Sequence, residues 1–245
     1  MPLTPPVSLP DYRLRISRRC KRVLLRVSPL GMIEVVVPEG FDLRRVPDIV
    51  QQRQPWLEKQ LGKLAAQWQA APEEQALRPE KIRLRALARE WRVEYRPSAG
   101  RQVRLKDSGS CLHLSCPAER EPEAEALIGR RLQRWLQEQA RARLLPWLAQ
   151  TAEELGLEYA QARIRAQKTR WGSCSARGVI NLNRNLLFLP PELVRYLFVH
   201  ELSHTRHMDH SPRFWRQVAA CEPDYRRLDA RLNRAGKYLP RWVHI

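Results

Sequence analysis

The chain has 245 residues with 44 lysines and arginines against 26 aspartates and glutamates, and its 43% hydrophobic and 29% charged residues mark a folded protein and do not indicate disorder. No run approaches the ~18 apolar residues of a membrane span, Met1 to Pro10 lack the basic and apolar stretches of a secretory signal, and the cysteines Cys20, Cys111, Cys116, Cys174 and Cys221 are too irregularly spaced for a disulfide framework. A cytoplasmic protein with no membrane partner is expected, and the formal charge of +18 admits nucleic acid as a partner through counterion release.

That last inference has a competitor. Arginine far outnumbers lysine, as genome composition alone can produce, and the cations are spread along the chain instead of forming one tract.

From Tyr12 to Ser17 a two-residue alternation sets Tyr12, Leu14 and Ile16 on one face. Val23 to Val27 and Met32 to Val37 read as two more strands across the turn Ser28-Pro29-Leu30-Gly31, and the three predict a small antiparallel meander. Asp42 to Gln67 has helical spacing in Val46, Ile49, Val50, Trp56, Leu57 and Leu61, with a break at Pro55. Ala70 to Pro79 reads as a connector. Strands return at Lys81 to Leu84, Trp91 to Tyr95, Val103 to Lys106 and Cys111 to Ser115, with turns at Ser98-Ala99-Gly100 and Asp107-Ser108-Gly109. Cys111 and Cys116 bracket His113, but a lone pair at that spacing is read as strand packing.

Alternation gives way to helical spacing near Pro117 to Pro122, which places a boundary between an amino-terminal β-rich lobe, residues 1–118, and a second domain, residues 119–245. Leu127, Ile128, Leu132, Trp135 and Leu136 mark one face of a long helix that reaches about Leu155, bends at Pro146 and ends at Gly156. Arg163 to Ala166 and Val179 to Asn183 read as strands flanking the turn-rich Trp171-Gly172-Ser173-Cys174-Ser175. Three helical pieces follow.

His200-Glu201-Leu202-Ser203-His204 matches H-E-x-x-H on a helix that Pro190-Pro191 can start and whose apolar stripe is Leu193, Tyr196 and Leu197. Residues four apart lie about 40° apart around a helix axis, so both imidazoles can approach one tetrahedral zinc. Zinc keeps a position for water and lowers its pKa towards about 7, and Glu201 is the general base beside it. His210 is the candidate third ligand, since it completes the H-E-x-x-H-x-x-x-x-x-H spacing shared with metzincins, which have glycine where this chain has His207. Ser211-Pro212 starts a new helix after it, carrying Phe214, Trp215 and Val218. Glu222, on the next helical segment, and Cys174, as in peptide deformylases, are alternative third ligands. His207 reads as a supporting or surface residue. Four of the chain's six histidines fall between residues 200 and 210, which argues against a chance match.

The sequence resembles the YgjP-like metallopeptidases, relatives of the SprT-like and broader zincin proteins. The resemblance is carried by Arg170-Trp171-Gly172-Ser173-Cys174-Ser175, Ile180-Asn181-Leu182-Asn183, Val199-His200-Glu201-Leu202-Ser203-His204 and His207-Met208-Asp209-His210-Ser211-Pro212-Arg213-Phe214-Trp215. It implies an α+β, zincin-like core with His200, His204 and His210 as Zn2+ ligands, Glu201 as catalytic acid and base, and a peptide or protein substrate. Analogy with zincins makes the Ile180 to Asn183 strand the one that pairs with an extended peptide, and analogy with SprT-like proteins adds substrates on DNA. Arg170, His207 and Tyr225 are candidate oxyanion stabilisers. The competing functions are a nucleic-acid-associated binding protein with a structural zinc, and a zinc amidase or deformylase.

Overall fold

A computed structural model describes residues 9–69, 76–98, 100, 102–116 and 122–244. The fold is mixed α+β, and the chain divides into two compact units, residues 1–75 and 76–243.

The first unit holds strands β1 (Tyr12–Ser17), β2 (Leu24–Val27) and β3 (Ile33–Pro38), then helices α1 (Val46–Gln52) and α2 (Gln54–Gln69). The strands do not form a meander. Their order is β1-β3-β2, with β1 parallel and β2 antiparallel to β3. The composition of β3 explains its central place, because Val35, Val36 and Val37 are all buried and suit a strand covered on both faces. As an edge strand, β1 leaves Leu14 38% and Ile16 57% exposed. Val46, Val50 and Leu57 of the two helices complete this core against Ile33, Val35 and Val37.

The second unit begins with a four-stranded sheet: β4 (Lys81–Leu84), β5 (Arg89–Pro97), β6 (Arg104–Asp107) and β7 (Cys111–Cys116), in the order β4-β5-β7-β6. Its inner face, with Ile82, Leu84, Trp91, Leu112 and Leu114, shares one core with Ile128, Leu132, Trp135 and Leu136 of α3 (Pro122–Leu155). Trp91 and Trp135 meet edge to face with ring centroids 5.3 Å apart. Asp107 accepts both indole N–H groups, at 3.2 Å from Trp91 and 2.8 Å from Trp135. The boundary expected at residue 118 therefore falls inside this unit. The change from alternation to helical spacing marks a change of element, not of core, and the division falls instead in the connector read at Ala70 to Pro79.

Pro146 lies within α3, and the helix stops where Gly156 takes a left-handed φ of +60°. The Leu157 N–H then reaches back to the Ala152 carbonyl at 2.9 Å. A three-stranded sheet follows: β8 (Gln161–Arg165), β9 (Gly172–Cys174) and β10 (Val179–Asn183), in the order β8-β10-β9. The turn-rich segment read at Trp171 to Ser175 thus contains a strand, antiparallel to β10 through the register Ile180–Cys174, Asn181–Ser173 and Leu182–Gly172. Since β10 is paired on both sides, it has no edge to offer a peptide, and that expectation is overturned. A 3-10 turn at Arg184–Phe188 leads into α4 (Pro191–Ser203), α5 (Pro212–Cys221) and α6 (Tyr225–Leu232).

Candidate metal centre

Helix α4 opens with Pro191 in its first turn and buries Leu193, Val194, Tyr196, Leu197, Phe198, Val199 and Leu202. A helix held by so many apolar contacts is a rigid base for His200 and for His204, which caps its carboxyl end. Beyond that end the chain turns tightly. The Arg206 and His207 N–H groups bond to the Ser203 carbonyl, and His204 Nδ1 lies 3.0 Å from the His207 carbonyl oxygen. A carbonyl only accepts, so Nδ1 carries the proton and the Nε2 lone pair of His204 is left to face outward. His207 therefore acts through its backbone.

His210 enters from the following turn, just ahead of Ser211 and Pro212 at the start of α5. Its Nε2 lies 3.3 Å from His200 Nε2, and one donor nitrogen from each of His200, His204 and His210 lies within 4.8 Å of the others. Nitrogens bound tetrahedrally to one zinc at about 2.05 Å would be roughly 3.3 Å apart, so these three side chains fit such an ion. Burial pushes the His200 imidazolium down to about 4, helped by His204 and His210, so the ring is neutral at physiological pH. Burial lowers His204 as well.

An aromatic floor holds the rings in place. Phe214 is fully buried and stacks on His204 at a centroid distance of 4.4 Å, with edge contacts to His200 at 5.0 Å and His210 at 4.9 Å. Trp215 lies 5.7 Å from His210 and stacks on Tyr225 at 5.4 Å. The sequence reading took Phe214 only as an apolar residue of α5. Its position four residues after His210, in the first turn of α5, was the available signal.

Glu201 is only 4% exposed, and its Oε2 has no hydrogen-bond partner. Burial pushes its carboxyl up to about 8, against the opposing pull of Arg170. Gly172 of β9 faces it so closely that a Cβ there would sit 2.5 Å from Oε1. Gly172 is a site residue that the sequence reading missed, having taken the segment as a turn.

The alternative third ligands lie elsewhere. Glu222 pairs with Arg195 at 3.4 Å, and neither Glu222 nor Cys174 belongs to the histidine group. Burial and then Glu201 push the Cys174 thiol up to about 11. Among the oxyanion candidates, Arg170 acts electrostatically on Glu201, while the Tyr225 hydroxyl accepts from Arg226 at 3.1 Å. The described residues hold a second three-donor group, Glu94, Cys111 and His113, on β5 and β7. Glu94 and His113 are 3.0 Å apart, and Cys116 instead joins the core on the inner face.

A family model described as YgjP-like, metallopeptidase domain, matches residues 21–235. Two solved structures are similar to part of the chain, each with a TM-score of 0.34. The metallopeptidase zymogen abylysin of Pyrococcus abyssi is 28% identical and aligns over 36% of this chain and 90% of its own. The zymogen jannalysin of Methanocaldococcus jannaschii is 17% identical over 37% of this chain and 94% of its own. No curated protein matches the chain.

Proposed function

The chain belongs to the YgjP-like metallopeptidase family, and from that premise we propose that it hydrolyses peptide bonds using zinc held by His200, His204 and His210, with Glu201 as general base. The observation that carries this reading is the convergence of three imidazole nitrogens beside a buried carboxylate oxygen that has no partner. When bound, zinc supplies Lewis acidity and lowers the pKa of a water towards about 7.

The protein's own residues do the rest. Glu201 takes the proton from the water as its oxygen attacks the carbonyl carbon, and returns a proton to the amine as the C–N bond breaks. Burial alone raises this carboxyl, and a divalent cation held by the three histidines would favour the ionised form that acts as base. The missing side chain of Gly172 leaves the carboxylate its space.

Substrate pairing falls to β9. The Asn183 N–H bonds to the Trp171 carbonyl and the Ser175 N–H to the Val179 carbonyl. In an antiparallel pair that pattern turns the N–H and C=O groups of Gly172 and Cys174 away from β10, onto the open edge. An extended peptide adding to this edge would lie beside Glu201.

The test is metal analysis of the purified protein followed by mass-spectrometric mapping of cleaved peptides. Glu201→Gln should keep zinc at wild-type stoichiometry and lose cleavage. A protein that takes up no metal, or a Glu201→Gln variant as active as wild type, would overturn the reading. Turnover confined to small amides would replace it with the amidase.

A further inference from the structure

The outward face of the β4-β5-β7-β6 sheet carries six exposed cations: Lys81 and Arg83 on β4, Arg92 and Arg96 on β5, and Arg104 and Lys106 on β6. Only two carboxylates share it. Glu90 lies 3.9 Å from Lys81, and Glu94 takes Arg96 at 3.5 Å and His113 at 3.0 Å. Arg83, Arg92, Arg104 and Lys106 have no ion pair among the described residues. Into this face opens a cavity of about 350 Å3, lined by Arg96, Arg104, Lys106, His113, Ser115 and Leu105.

We propose that this face binds the phosphate backbone of nucleic acid without reading its sequence. The peptidase reading could fail and leave this proposal standing, since none of these residues belongs to the histidine site. The cations are spread over an area, not focused on a point. Arg104 and Lys106 repeat along β6 at about 6.8 Å, and Arg96 and Arg104 flank Ser115 of β7 at about 9.5 Å, two strand spacings. Such spacing serves several phosphates in a chain better than one small anion.

An acidic protein fits less well. Its partner surface would need apolar or aromatic anchors, and none of the large exposed hydrophobic side chains among the described residues lies on these strands. Trp91 and Tyr95 face inward and the His113 ring is tied to Glu94 at 3.0 Å, so the face offers bases little to stack on and serves to track the backbone.

The test uses the full chain with fluorescein-labelled DNA and RNA oligonucleotides, single- and double-stranded, followed by anisotropy over a salt series. Affinity should fall as salt rises. The Arg96→Ala/Arg104→Ala/Lys106→Ala variant should bind about tenfold more weakly or worse, with the salt slope reduced by about 3. The control Arg134→Ala/Arg141→Ala/Arg143→Ala on α3 should stay within about twofold of wild type. Acetylation footprinting of the wild-type protein gives a second readout that needs no variant: oligonucleotide should protect Lys81 and Lys106 but not Lys59 or Lys168. Absence of binding, an equal loss in the control, no protection of Lys106, or tighter binding of polyglutamate than of any oligonucleotide would overturn the proposal.

Discussion

Gly172 of β9 and Glu201 of α4 are so close that the Glu201 carboxylate takes up the space where any other residue at position 172 would place its Cβ. A Cβ at position 172 would also come within 2.9 Å of Glu201 Cγ and Cδ. The φ of Gly172 is not positive, so the demand is for room and not for an unusual backbone.

Gly172→Ala is therefore expected to displace Glu201 and leave the histidines alone. Overpacking of this kind costs about 1–3 kcal/mol of stability, and a misplaced base costs about 100-fold in kcat/KM. Thermal unfolding, metal content and turnover measured together check this. Normal activity in the variant would show that the carboxylate has somewhere else to go.

The assignment of the third donor can be tested by substitution. His210→Ala should lower zinc affinity by orders of magnitude, whereas Glu222→Gln and Cys174→Ser should bind zinc as wild type does, because neither side chain belongs to the histidine group. Competition with a chromophoric chelator measures all three. Loss of zinc from Cys174→Ser would move the site.

Phe214→Leu keeps an apolar side chain but removes the ring stacked on His204. Groups that hold a ligand in its productive orientation typically govern about 10–100-fold in metal affinity, and the lower part of that range is expected here. The same titration decides, with circular dichroism confirming the helices.

Asp107→Ala would leave two indole N–H groups without their acceptor, on tryptophans that are almost wholly buried. A loss of about 1–3 kcal/mol is expected. Urea denaturation followed by tryptophan fluorescence would show it as a lower midpoint at unchanged slope.

The Cys174 thiol, raised from 9.0 to about 11 in the folded protein, is an acid that holds its proton more tightly when folded than when unfolded. Its contribution is complete below pH 9.0 and is lost as the pH rises through about 11. Alkylation of Cys174 by iodoacetamide should accordingly stay slow at pH 8 and accelerate only above the range of an ordinary thiol. Rapid labelling at neutral pH would contradict the burial that causes the shift.

Much of helix α4 was legible because its signals are local. The proline start, the apolar stripe and the four-residue histidine spacing all lie within α4, and Gly156 marks the end of α3 in the same way. What escaped depends on distant partners. β9 has three residues and little hydrophobicity, so only its pairing with β10 makes it a strand. The parallel β1–β3 pair follows from β3 taking the centre of its sheet, which no turn residue announces. Ser98-Ala99-Gly100 and the start of the predicted boundary lie partly outside the described residues.

Asn183, at the end of β10, donates to the carbonyls of Gln167 and Arg170, both at 2.8 Å, and accepts the Asn185 N–H at 3.0 Å. One side chain thereby laces the approach to β9 to the turn that leads into α4. The two segments that bring Gly172 and Glu201 together are thus stitched at their shared root, and parting them would require that seam to come undone.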